Sequence, residues 1–280
     1  SLAQARFLSA SVDDVRAAVS LQIPTDNLTP NKKNQYDLQI LVSNLNEENK
    51  IFSSVHKEFI VKNANSAEVA EKGIKIVEGI DALFGVNKIR IALRDNTSGK
   101  RSYFYFNQVF RNPAEDMLLV SAPVFVDEAN GKRSEDELDV QVKAQEKWNS
   151  GAPAGADMLM HPAQGKIFPK IVPAFSQGDT ASFFLNVSNL MRDDFQPEQL
   201  EFVLGISPAP TDRNQKRKWQ VIQNLTSSDV YRLRSGQGVS FAGSFKVGGL
   251  EPGVYDFLVQ VTDKVSERKN FGTTRILVRE

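Results

Sequence analysis

Two stretches of this chain nearly repeat each other, and that internal echo constrains the fold more than any other feature. Tyr36-Asp-Leu-Gln-Ile-Leu-Val-Ser-Asn-Leu45 reads like Ala181-Ser-Phe-Phe-Leu-Asn-Val-Ser-Asn-Leu190, ending in the same four residues. Further on, Gly85–Asp95 matches Gly253–Asp263, with Gly, Val and Asp at equal spacing. A solenoid repeats every 20–50 residues or so, and these copies lie much further apart, so the echo implies two copies of one domain. The matched pieces alternate apolar and polar residues, which is the strand period. The expected fold class is all-β, with two tandem immunoglobulin/fibronectin-III-like β-sandwich domains.

The alternation places the boundaries. Domain one is expected over 12–128, a linker able to carry a short helix over 129–165, and domain two over 166–280. Residues 1–11 show no strong period and read as a lead-in. Val15 to Ile23 alternates and is stopped by Pro24. Strands are also expected over Tyr36–Leu45, Ile51–Val61 and Ile74–Ile80, with a loop or short helix over Asn63–Lys72. Met117 to Val126 reads as the last strand of domain one. Glu135 to Trp148 is charged and suits a short surface helix. Ser150-Gly-Ala-Pro-Ala-Gly-Ala156 has the composition of a flexible linker.

At the second echo the chain needs a sharp corner between sheets. Leu250-Glu-Pro252-Gly253 reads as a type II turn with Pro at i+1 and Gly at i+2, a position requiring positive φ. Gly85 is its counterpart in the first copy. Tyr103 and Tyr105 alternate with Phe104 and Phe106 in the returning strand. The expectation is that both pairs are buried, one in each of two contacts; an outward-facing Tyr pair would suit a carbohydrate-binding module.

The 280 residues suffice for about two domains. Lys+Arg and Asp+Glu balance at 34 each, which leaves no net field for nucleic acid or an anionic membrane. Eighteen Phe against five Tyr and two Trp suits sheet cores, because Phe packs without needing a hydrogen-bond partner. Cysteine is absent, so disulfides, thiolate metal sites and cysteine nucleophiles are excluded together. No apolar run approaches the 18 or so residues of a transmembrane span. The chain lacks an initiator Met and reads as an excised piece of a longer protein.

Catalytic sets are sparse. The two histidines, His56 and His161, have no nucleophile elbow or H-E-x-x-H motif beside them. Asp13-Asp14, Glu135-Asp136-Glu137 and Asp193-Asp194 are the carboxylate clusters, and acidic turn residues usually cap local backbone. No calcium-loop pattern accompanies them. The basic run Arg213-Asn-Gln-Lys-Arg-Lys-Trp219 reads as a solvated loop rather than an anion patch. No catalytic, cofactor-binding or metal-binding residue is therefore assigned, and no cofactor is expected.

Leu250-Glu-Pro-Gly-Val-Tyr-Asp-Phe-Leu-Val-Gln-Val-Thr-Asp263 and Ile89-Arg-Ile-Ala-Leu-Arg-Asp-Asn-Thr-Ser-Gly-Lys100, with Leu118-Leu-Val-Ser121 between them, resemble the region after the A domain in von Willebrand factor A-related proteins of Acidobacteria and relatives. Phe84 and Asn87 depart from the Pro and Tyr of that pattern. The resemblance implies a periplasmic or extracellular location and a non-catalytic spacer or protein-interaction module, whose partner is another protein or other domains of the same polypeptide. The A domain's D-x-S-x-S metal motif is not in this chain. A carbohydrate-binding module with a polysaccharide ligand and a carboxylate-dependent hydrolase are the alternatives.

Overall fold

Alternating β-branched and aromatic residues give the chain little but strands to form. The computed structural model describes residues 2–11, 14–110, 118–126, 140–149, 160–161, 165–166, 170, 173–190, 196–210, 212, 217–222, 225–232 and 238–280. The first seven strands are β1 (Leu2–Ser11), β2 (Asp14–Ile23), β3 (Tyr36–Leu45), β4 (Ile51–Val61), β5 (Ile74–Ala82), β6 (Gly85–Asp95) and β7 (Arg101–Phe110). Then come β8 (Leu119–Val120), β9 (Val124–Val126), β10 (Val140–Asn149), β11 (Met160–His161), β12 (Gly165–Lys166) and β13 (Ala174–Phe175). The last are β14 (Thr180–Ser188), β15 (Leu200–Pro208), β16 (Gln220–Val221), β17 (Leu225–Arg232), β18 (Gly238–Lys246), β19 (Gly253–Asp263) and β20 (Lys269–Val278). One short helix, α1 (Ala67–Lys72), is capped by the Ser66 hydroxyl, which accepts from Val69 N at 3.2 Å.

Apart from the two-stranded ribbon β11-β12, the described strands make two sheet pairs. In the first, β1-β2-β5 packs on β10-β4-β3-β6-β7. Between them lie Val19, Leu21 and Ile23 of β2, Leu38, Ile40 and Val42 of β3, and Ile89, Ile91 and Leu93 of β6. In the second pair, β17-β18-β14 with β8 and β9 packs on β13-β20-β19-β15-β16. Its core is a phenylalanine cluster: Phe257 lies 4.9 Å from Phe183, 5.1 Å from Phe125 and 5.4 Å from Phe245, centroid to centroid. The chain switches sheet after β2 and β4, and correspondingly after β14 and β16, which is the Greek-key path of immunoglobulin/fibronectin-III-like sandwiches.

Several expectations need correction. Residues 2–11 are not a lead-in: β1 pairs with β2 along its length, and a register shift between Phe7 and Ser9 resets the alternation. Of the segment expected to close domain one, Met117–Val126, the strands within the described residues 118–126, with Leu119 packing on the first core, join the second sheet pair instead. There β8 and β9 pair with β14, and Phe125 is fully buried among Phe175, Phe183 and Phe257. Alternation identified the strand but carries no information about which sheet accepts it. The surface helix expected near 135–148 is, over 140–149, a strand antiparallel to β4; again a bulge, between Val142 and Ala144, masks the period. So 129–165 is not simply a linker: β10 returns to the first sheet from within an excursion of the second. The glycine-rich 150–156 stretch lies outside the described residues.

The echo itself is half positional. β6 and β19 are equivalent, each between a central strand and the strand that returns after it. Each ends in the same device. Asp95 accepts from the Thr97 and Ser98 amides and the Ser98 hydroxyl, the last at 2.6 Å; Asp263 does likewise with Val265 and Ser266, the hydroxyl at 2.5 Å. The Val-Ser-Asn-Leu copies are not equivalent. β3 lies in β10-β4-β3-β6-β7, whose counterpart in the second pair is β13-β20-β19-β15-β16, and β14 lies in the other sheet of that pair, so β15 is the true counterpart of β3. Both strands are interior and deeply buried, and that shared environment selects the shared letters.

The corner is also built differently from the expected type II turn. Gly253 does not have positive φ; Gly249 does, at 71°, and Gly253 already pairs with Val278 as the first residue of β19. The corner is held instead by Tyr255, whose hydroxyl donates to the Glu251 carbonyl at 2.8 Å. This is the tyrosine corner of Greek-key sandwiches. In the first copy Gly85 does have positive φ, 98°, and Asn87 stands where the tyrosine is. Asn87 is wholly buried, donates to the Leu83 carbonyl at 2.7 Å and accepts from the Leu83 amide at 2.9 Å, the same four-residue reach backwards.

Candidate functional site

In the five-stranded sheet of the first pair, one residue in two points into the core and the others point out. Register aligns Gln39, Leu41 and Ser43 of β3 with Arg94, Ala92 and Arg90 of β6, and these with Arg101, Tyr103 and Tyr105 of β7. Tyr103 is 67% exposed and Tyr105 85% exposed, while Phe104 and Phe106 pack against the first core. The expectation that both aromatic pairs are buried does not hold. β7 is an edge strand with a packed sheet on one face only, so alternate side chains have nothing to bury against.

This outer face is an open trough. Two adjoining depressions, of about 260 and 620 Å³, share Leu41, Ala92 and Tyr103 as lining. The small Ala92 between Arg90 and Arg94 leaves the floor low beside Tyr103. His56 of β4 stands opposite Leu41 at one side, 2.7 Å from Gln39 Nε2, and Gln39 also donates to Glu58 at 3.0 Å. Asp37 is held by Lys143 at 3.0 Å. Lys88 donates to the Glu47 carbonyl and Asn49, both at 2.8 Å. By contrast, the side chains of Arg90, Arg94 and Arg101 have no ion-pair or hydrogen-bond partner among the described residues.

Three arginines of the second sheet pair are occupied. Arg217 and Arg275 flank Asp256 at 2.9 and 3.0 Å, and Arg268 reaches Asp263 at 3.6 Å. This accounts for part of the basic run, which the sequence presents as a solvated loop. Arg217 is fixed on β19, and Trp219 lies over Gly205, where an added Cβ would stand 3.4 Å from the indole.

Among the described residues no group of three or more His, Cys, Asp or Glu is placed to hold a metal, and no helix is long and apolar enough to cross a membrane. Asp193-Asp194, Asp13 and Glu135-Asp136-Glu137 lie outside the described residues. Gly85, Pro252 and Gly253 serve the corners rather than the face. At the foot of the first sheet pair, burial pushes the Asp95 carboxyl up, but the Ser98 hydroxyl and the amides of Thr29, Thr97 and Ser98 outweigh it. They hold it below the usual carboxylate range. Sequence reasoning named the tyrosines but missed the arginines beside them. The signal was there: Arg90, Arg94 and Arg101 share the tyrosines' strand parity once β6 and β7 are set in register.

No family model matches the chain, and no curated protein matches it. Among solved structures it is similar to an ICAM-5 D1–D4 ectodomain fragment, at 9% identity and a TM-score of 0.25, over 99% of this chain and 53% of that one. It is also similar to red sea bream transglutaminase, at 12% identity and a TM-score of 0.24, over 100% of this chain and 32% of that one. The chain thus spans about half the length of the first and a third of the second. Likeness at that level defines no activity, and the sandwich class rests on the strand order itself.

Proposed function

We propose that this chain is a non-catalytic interaction region made of two immunoglobulin-like sandwich domains, which meets its macromolecular ligand through the outer face of β3, β6 and β7. The single observation carrying this reading is the outward pair Tyr103 and Tyr105 on an open trough. Large exposed aromatics beside an open depression cost solvation, and binding surfaces use them because they bury much area with few rotors. Each sheet pair encloses its own hydrophobic cluster, which supports counting two domains: one from β1–β7 with β10, the other from β8–β9 with β13–β20. The segments resembling the region after the A domain support a place in a larger exported or cell-surface bacterial protein of the von Willebrand factor A-related kind.

The test immobilises the full chain beside its Tyr103→Ser/Tyr105→Ser variant and passes envelope extract of the source over both. A ligand held by the first and released by the second supports the reading. Equal retention of every bound component by both moves the binding off this face and overturns it.

A further inference from the structure

The geometry points to an acidic polysaccharide, a polymer of uronate-type sugars, as the ligand of this face. The inference rests on the reading above that the face is the interaction surface, and it names the ligand's chemistry.

Three observations carry it. The first is charge. Within a chain of zero formal net charge, three guanidinium groups without described partners are gathered in two neighbouring columns, Arg90 and Arg94 on β6 and Arg101 on β7. Of the carboxylates nearby, Asp37 is paired with Lys143, and Glu58, which accepts from the neutral Gln39, leaves one negative charge against the three guanidinium groups. The patch is therefore locally positive and its donors are unspent. Guanidinium forks match carboxylates in bidentate geometry, a pairing stronger than a neutral hydrogen bond.

The second is the placement of the aromatics. Arg90 stands directly opposite Tyr105, and Arg94 opposite Arg101, with Ala92 and Tyr103 as the pair between. The tyrosines thus lie within the arginine cluster. A sugar ring offers a flat face of polarised C–H bonds to the negative π face of a tyrosine. A uronate carries such a face and a carboxylate on the same ring, so one unit can meet a tyrosine and an arginine together. The third is shape. Two adjoining depressions open to solvent on this face rather than enclosing a cavity, which admits the interior of a polymer.

An acidic peptide fits less well, since an extended peptide gains most by pairing with the free backbone edge of β7 and needs no aromatic floor. A single-stranded nucleic acid would also stack on tyrosines, but phosphate trackers carry a broad basic footprint, and this chain is neutral.

The experiment is titration calorimetry of the full chain at low salt with four probes: polygalacturonate, a neutral soluble glucan, polyglutamate and an oligo-deoxythymidine. The expected result is heat with polygalacturonate, weakened by added salt and absent with the glucan. Arg90→Gln/Arg94→Gln and Tyr103→Ala/Tyr105→Ala should each weaken it at least tenfold with unchanged unfolding midpoints. No heat with polygalacturonate, or equal heat with polyglutamate or the oligonucleotide, overturns the polysaccharide. If that happens while the extract ligand is still lost from the Tyr103→Ser/Tyr105→Ser variant, the ligand class has failed and the interaction face stands. If neither assay responds to the tyrosines, both have failed.

Discussion

Gly272→Ala tests the assignment of β8 and β9 to the second core. A Cβ built on Gly272 would lie 2.0 Å from the Ser121 carbonyl oxygen, 3.0 Å from its carbon and 3.1 Å from Pro123 Cδ, against the 3.4 Å where ordinary contact begins. The obstacle is backbone, so no side-chain rotation relieves it. The strand β20 and the 118–123 segment must part by on the order of 1 Å. That strains the bonds tying the segment down: Asn270 Nδ2 to the Leu118 carbonyl at 2.7 Å, and Ser121 N to the Asn186 carbonyl at 2.9 Å. It also withdraws Phe125 from contact with Phe257. Overpacking of this kind typically costs about 1–3 kcal/mol. Replacing Gly by Ala within a strand returns roughly 0.5–1 kcal/mol through chain entropy. The net expectation is a loss of up to about 2.5 kcal/mol, centred slightly above 1. Urea unfolding followed by tyrosine and tryptophan fluorescence measures it. Gly248→Ala is the control, since its Cβ would meet nothing within 4 Å, and it should stay within about 0.5 kcal/mol of the parent. A Gly272→Ala midpoint indistinguishable from that control would refute the close approach of the Ser121 carbonyl to β20, and with it the placement of 118–126.

The corner devices should differ in cost. Tyr255→Phe removes one hydrogen bond, and should cost about 0.5–1.5 kcal/mol, whereas Asn87→Ala removes both the donor and the acceptor that meet the half-buried Leu83 backbone and should cost more; equal midpoints would show that Asn87 is not a corner. Acid titration of stability should show the Asp95 contribution. Its folded pKa is depressed, so the contribution is complete above the unfolded value of about 3.9 and is lost as pH falls through the lower folded value. Asp95→Asn should therefore flatten the acid limb, and an unchanged limb would contradict the turn geometry. β10 can be fixed by cysteine pairs in this cysteine-free chain, at Glu146/His56 or at Lys147/Val55. Neighbouring pairs alternate between wide and close Cβ spacing, so one of the two should oxidise within the monomer. Failure of both would show that β10 does not pair with β4.

Much of the fold was legible. The alternations over Val15–Ile23, Tyr36–Leu45 and Gly85–Asp95 identify β2, β3 and β6, because a strand between a core and solvent imprints a period of two on its own letters. The equivalence of β6 with β19 was legible too, since the Asp-x-x-Ser turn closing each strand is a local device formed by residues adjacent in sequence. The outward tyrosines were visible as candidates, and their neighbours were not.

What the sequence alone determined is therefore what depends on neighbours along the chain: the all-β class, most strands, the Asp95 and Asp263 turns, and the absence of cysteine chemistry. What only the tertiary structure decided is which strand meets which. It paired Leu119–Val126 with the second sheet pair and β10 with the first, put β3 and β14 in different places despite their shared ending, and set Arg90 beside Tyr105. The physical reason is that strand partners are joined by backbone hydrogen bonds common to every residue, so a strand's letters state its need for a partner and a buried face without naming either. A bulge of one residue, as in β1 and β10, shifts the alternation and hides even that need.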